Sequence, residues 1–233
     1  MKIKHYLTPL IVVLVVLISG CETRSISNSE YQRGWYRNQT AFRGEISELD
    51  ILGTSPDASK SDQAIREAFE KQKAFRINRG DKALLIQSGA MMPDASMLDI
   101  AGRYFLCAPF SGVPPEGKEN LSNSLRLRAA QGGFPYLICY WGVLESGKQD
   151  HEGAVISWVP ILGGLIPDSK EQMRISLKAI VLDVQSGSWK MITYQSEAIS
   201  RQSAGWTRES TDQAMVAELK RKGYEQLIDR CLQ

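Results

Sequence analysis

Apolar and polar positions from Ser59 onward recur in two periods, and these divide the chain into helices and strands. Between Ser59 and Phe75 the apolar residues Ala64, Ile65, Ala68, Phe69 and Phe75 return at helical spacing among charges, the pattern of one amphipathic helix. Ala83 to Ile86 is a short apolar run after Gly80-Asp81 and predicts a buried strand. Pro93 and Asp94 open a second helix with Met97, Ile100, Ala101 and Tyr104 on one face. A second strand is expected over Phe105 to Phe110, closed by Ser111, Gly112, Pro114 and Pro115. A third helix runs from Glu119 to Gln131, with Leu121, Leu125 and Ala129 at intervals of four, and stops at Gly132-Gly133. After it, Tyr136 to Leu144 is apolar on both faces, as a central strand must be.

The second half changes character. Ala154 to Val159 and Met173 to Val184 read as strands, and Gln185-Ser186-Gly187-Ser188 joins the latter to Trp189 to Ile199 as a long hairpin. The segment Ser210 to Leu232 carries Met215, Leu219, Leu227 and Cys231 at multiples of four, with Val216 and Ile228 alongside and a capping-box pattern at Ser210 and Gln213. It predicts a long helix laid on the sheet. The expected class is therefore α/β (α+β): residues 59–233 as one domain, a single mixed sheet with a long antiparallel hairpin, flanked by helices. No internal repeat points to a solenoid.

The N-terminal pattern is of another kind. Lys2 and Lys4 precede an unbroken Leu, Ile and Val run from Leu10 to Ile18, and then Ser19, Gly20 and Cys21 follow at once. Nine apolar residues fall well short of the ~20 needed to cross a bilayer, so residues 1–20 read as a secretory signal. The sequence Ile18-Ser19-Gly20-Cys21 resembles the lipobox of bacterial lipoproteins. That resemblance implies a three-chain lipid anchor on Cys21, which holds a membrane where a single acyl chain would not. Glu22 rather than Asp after the cysteine implies sorting to the outer membrane, facing the periplasm. Residues 21–58 read as the lipidated N-terminus and a tether: from Glu22 to about Thr40 the chain is rich in Ser, Asn, Thr, Arg and Gln, without sustained apolar periodicity.

Charge narrows the choice of partner. The 28 Lys and Arg exceed the 26 Asp and Glu by two, and Lys2 and Lys4 account for both, so the chain from Cys21 onward is neutral. A nucleic-acid partner loses its usual electrostatic footprint. His151 is the only histidine after the signal, which removes zinc-protease helices and leaves a Ser-His-Asp scheme with one flanked loop residue and no Gly-x-Ser-x-Gly elbow. No P-loop or Gly-x-Gly-x-x-Gly follows an expected strand, so no nucleotide cofactor and no metal are expected. Cys107, Cys139 and Cys231 are odd in number and lack a Cys-x-x-Cys, and the first two lie in apolar strands where inert thiols are the rule. The carboxylates Glu45, Glu48 and Asp50, and Asp168 with Glu171, are the one enzymatic option, that of an envelope-acting hydrolase.

Trp158-Val159-Pro160-Ile161-Leu162-Gly163-Gly164-Leu165-Ile166-Pro167 breaks the pattern, being apolar where a polar turn belongs. It is either a buried crossover or an exposed contact loop, and in the second case Trp158, Ile161, Leu162, Leu165 and Ile166 are the contact residues.

Pro135 to Val143 and Ser176 to Gly187, within the order strand, helix, strand, helix, strand, long hairpin and closing helix, are similar to three lipoprotein and envelope domain groups. These are the curli-secretion lipoproteins, the amino-terminal domain of the Tol-system β-propeller protein and the lipoprotein activators of penicillin-binding proteins. The resemblance covers roughly Lys82 to Ser200 and implies a fold and a habit of binding envelope partners, but no functional residue. The long membrane hairpins of the secretion channel are missing. The expected protein is a non-enzymatic envelope lipoprotein, without cofactor, that binds a periplasmic or outer-membrane protein or assembles with itself.

Overall fold

The computed structural model describes residues 45–53, 62–113, 121–148, 157–160, 172–200 and 208–233, with the backbone alone at 148, 157–160 and 208–213. Its elements in chain order are α1 (Glu48–Leu52), α2 (Asp62–Lys73), β1 (Lys82–Gln87), α3 (Ala95–Gly102), β2 (Leu106–Phe110), α4 (Leu121–Gln131), β3 (Tyr136–Lys148), β4 (Ser157–Pro160), β5 (Gln172–Asp183), β6 (Trp189–Gln195), β7 (Ile199–Ser200) and α5 (Arg208–Cys231). The apolar runs foreseen from sequence become the strands of one mixed sheet, ordered β2-β1-β3-β5-β6, with β4 on β3 and β7 on β5. The α/β class stands.

β1 runs parallel to both β2 and β3, whereas β3 and β5 pair antiparallel from Tyr136↔Asp183 to Gly147↔Gln172. Because β5 holds one side of β3 over that whole length, β1 and β4 must share the other side. β1 ends at Gln87 opposite Tyr140, and β4 enters from the opposite direction to end at Pro160 opposite Glu145. The two strands thus lie head to head along β3, with the loop after β1 in the gap between them.

Continuous apolar runs in β1, β3 and β5 bury both faces of the sheet. On one face, Leu85, Ile138, Tyr140, Ala179 and Val181 pack against Met97 and Ile100 of α3 and Met215, Leu219, Leu227 and Ile228 of α5. On the other, Leu84, Ile86, Leu137, Cys139, Ile180 and Leu182 meet Ile46 and Ile51 around α1 and Leu125 and Ala129 of α4. The result is three layers. α4 ends as the Gly-Gly pair foretold: Gly133 takes φ +73°, and Phe134 N donates to the Ala129 carbonyl at 2.9 Å, which closes the helix with a left-handed turn.

Several boundaries differ from the sequence reading. The folded body reaches back into the stretch read as tether, since Ile46 and Ile51 are each 1% exposed. The cause is a capping box with Asp in place of Glu or Gln: Ser47 Oγ accepts from Asp50 N, and Asp50 Oδ2 accepts from Ser47 N at 2.8 Å. The strand expected over Trp189 to Ile199 is broken. Ser196 N donates to the Ile175 carbonyl, Ile199 pairs Met173, and Glu197 with Ala198 therefore faces the single residue Arg174, a β-bulge. α5 begins at Arg208, so Ser210 is inside its first turn rather than capping it. α2 forms as expected but buries no residue.

Candidate functional site

In a sheet whose second crossover passes to the other side of the first strand, loops after the parallel strands diverge and leave room for a site at their carboxyl ends. Here β1 has β2 on one side and β3 on the other, and a buried polar cluster sits at the carboxyl end of β1, beside Tyr140 of β3. Gln87, the last residue of β1, is 2% exposed, and its Oε1 accepts from the Asp94 amide at 2.7 Å and from the Tyr140 hydroxyl at 2.5 Å. Asp94 sits at the N-cap of α3 but its carboxylate does not cap. It turns inward instead, where Oδ2 accepts from the Tyr224 hydroxyl at 2.5 Å and lies 2.9 Å from Lys220 Nζ.

Both tyrosines are fully buried and meet edge to face at 5.7 Å between centroids. Burial first, and the Asp94 charge second, hold the Tyr140 hydroxyl well above the ordinary phenol range, so it acts as a neutral donor. The two donors on Oε1 fix the Gln87 amide orientation, and its Nε2 is left without a partner. Lys220 matches the charge of Asp94, and Oδ2 takes both the ammonium and the Tyr224 hydroxyl. The chemistry of the cluster is that of a clamp, tying α3 and α5 to the end of β1 and to β3 beside it.

The clamp holds the loop of residues 88–94, which is stitched from other sides as well. Ser88 N donates to the Tyr140 carbonyl at 3.0 Å, and Ser88 Oγ donates to the Ile46 carbonyl, which also accepts from Trp141 Nε1 at 2.7 Å. Gly89 N donates to the Gly112 carbonyl at 2.9 Å, and Gly112 N returns a bond to the Ala90 carbonyl at 2.8 Å. Residue 112 must be glycine, because a Cβ there would stand 1.8 Å from the Gln87 carbonyl oxygen. On this pinned loop Met91 and Met92 face solvent, 69% and 57% exposed. A rigid backbone presenting two adaptable, polarizable side chains is an arrangement suited to protein contact. β4 ends beside the same gap, which brings the start of the sequence-predicted apolar segment to this edge.

Residues 47–233, from the N-cap of α1 to the last residue, match the family described as YafT bacterial lipoprotein. The chain belongs to the YafT bacterial lipoprotein family. Membership makes it an envelope lipoprotein with a lipid anchor to the membrane. No curated protein matches the chain.

In this YafT-family lipoprotein, Cys21 and the contact residues Ile161, Leu162, Leu165 and Ile166 lie outside the described residues, as do His151, Asp168 and Glu171. Trp158 stands in β4, its backbone paired with Gly147. Of the carboxylates near Gly44, Glu48 forms an ion pair with Lys178, whose ammonium also lies 5.1 Å from the centre of the Trp141 ring, and Asp50 is spent in the capping box. Among the described residues no group of three or more His, Cys, Asp and Glu side chains is placed to hold a metal, and no helix is long and apolar enough to cross a membrane.

Cys107, Cys139 and Cys231 are free thiols. Burial pushes Cys107 up to about 11 and Cys231 up to about 12, and raises Cys139 further, so none is a reactive thiolate at neutral pH. The clamp and the two methionines escaped the sequence reading. Gln87, Asp94, Tyr140, Lys220 and Tyr224 are scattered over 138 positions of the chain, and only the long β3–β5 pairing and the closing helix bring them together. The one available sign was the polar Gln87 ending an otherwise apolar run.

Proposed function

We propose that this YafT-family lipoprotein is a non-enzymatic binding module, held by a lipid on Cys21 at the outer membrane and facing the periplasm. It binds an envelope protein through the carboxyl edge of its parallel strands. The contact is formed by Met91 and Met92 together with the apolar segment carrying Trp158, Ile161, Leu162, Leu165 and Ile166. The observation that carries this reading is the pair of solvent-facing methionines on a loop that buried hydrogen bonds hold rigid. Engagement of Glu48 by Lys178 and of Asp50 by Ser47 supports a binding role over a hydrolase built on those carboxylates.

Photoreactive residues placed at Met92 and at Ile161 in intact cells test it. The same protein band is expected from both positions, weakened when Cys21→Ala removes the anchor. Absence of any adduct from either position, in cells where the protein is present at normal level, would refute the proposed contact.

A further inference from the structure

The exposed large apolar residues are unevenly spread. Of the nine among the described residues, Met91, Met92 and Leu106 lie elsewhere, and six gather on the α1/α4 side of the sheet or against its edge. Leu49 is on α1 and Leu127 on α4, the two helices that cover that face. Trp189 and Met191 pair directly with Leu182 and Ile180, whose side chains enter the core of the same face, so they too project to this side, on the edge strand β6. Ile65 and Phe69 of α2, one turn apart and 59% and 68% exposed, line a groove of about 700 Å³ shared with Trp189 and the β5–β6 turn. An amphipathic helix that buries nothing, next to a half-exposed tryptophan on an edge strand, leaves an apolar surface that no element among the described residues covers.

The chain itself points to the cover. The segment that leads from the membrane enters the folded body on this same face, where the Ile46 carbonyl is pinned by Ser88 Oγ and Trp141 Nε1. Only 23 residues separate Cys21 from Glu45, and α2 follows within another 20. The chain from the anchor therefore joins the body on this face and not on the α3/α5 face. The chemistry suits a bilayer surface: aliphatic and aromatic side chains to enter it, a tryptophan of the kind that favours the headgroup level, and α2 charges that balance, with Asp62, Glu67 and Glu70 against Arg66, Lys71 and Lys73.

We propose that the α1/α2/β6 face rests on the phospholipid bilayer that bears the anchor, with Ile65, Phe69 and Trp189 entering the headgroup region. This rests on the reading of Cys21 as the acylated residue. Apolar burial drives the contact, with α2 itself adding no net charge.

The test uses the full lipidated protein in vesicles of phosphatidylethanolamine and phosphatidylglycerol, with and without brominated phospholipid as a quencher of tryptophan. Wild type is compared with Trp189→Phe and with the double variant Ile65→Ser/Phe69→Ser, whose exposed positions leave folding intact. The proposal expects bromine quenching that drops in Trp189→Phe and drops in the double variant although every tryptophan is retained. Protein that floats with the vesicles but shows the same quenching in all three forms keeps the anchor and overturns the contact. Concentration-dependent dimers that dissociate in the double variant, without bromine quenching at Trp189, assign the face to a second copy and also overturn it. Wild type that fails to float refutes the anchor and the contact together.

Discussion

Asp94 joins α3 to both β1 and α5. Its carboxylate, 7% exposed, is matched by Lys220 and Tyr224, and its own amide is held by Gln87. Truncating it in Asp94→Ala leaves a buried ammonium alone and should cost about 3–5 kcal/mol, while Tyr224→Phe, which keeps the ring against Tyr140, should cost about 1.5–3 kcal/mol. Urea unfolding of the two variants measures both, and equal losses would mean that ring packing rather than the charge pair holds α5. The thiols set the alkaline limit. Their folded values lie above the ordinary 9.0, so the folded state keeps protons that the unfolded chain gives up, and stability present below about pH 9 is lost as pH climbs toward 11 and 12. Cys231→Ala should make that fall shallower by up to about 1.4 kcal/mol per pH unit in unfolding experiments across the alkaline limb. Of these residues the sequence marked the inert cysteines, because apolar neighbours in a strand are a local property. It could not mark Asp94, which looks like a helix cap and turns inward only because Tyr224 and Lys220 arrive from far along the chain.

At the level of elements, periodicity was informative wherever burial is decided by the element itself. β1, β3, β5 and α4 appear close to where their apolar patterns placed them. It failed where a single residue or turn decides: the Ser47–Asp50 box that extends the body to α1, and the bulge opposite Arg174 that cuts β6 from β7. α2 shows the limit of the method, since its amphipathic pattern is correct for a helix and says nothing about what covers the apolar side. Ile65→Ser and Phe69→Ser should each cost less than about 1 kcal/mol, because both side chains stay mostly exposed in the fold. A larger loss in thermal unfolding would mean that α2 packs onto the body. Gly112→Ala acts in the opposite sense. Its Cβ would strike the Gln87 carbonyl, so the β1 and β2 loops must part, at a cost of at least about 3 kcal/mol by the same measurement.

Taken whole, the two proposals assign different surfaces of the molecule to different roles. One sheet face receives the chain from the membrane and carries most of the exposed apolar side chains, the other is closed by α3 and α5, and the carboxyl edge between them displays Met91 and Met92. Fold class and lipoprotein character were both legible from the chain, the first because the strands are apolar on both faces, the second because the pattern at the N-terminus is contiguous. Of the proposed contact surfaces, the segment around Ile161 stands out by composition, whereas two methionines in a loop do not. The most direct test of the whole arrangement is photocrosslinking in intact cells from three exposed positions, Met92, Phe69 and Leu106, read for both protein and lipid adducts. Protein adducts from Met92, phospholipid adducts from Phe69 and neither from Leu106 are predicted. Protein adducts from Phe69 with none from Met92, or equal labelling from all three, would contradict the assignment of these surfaces.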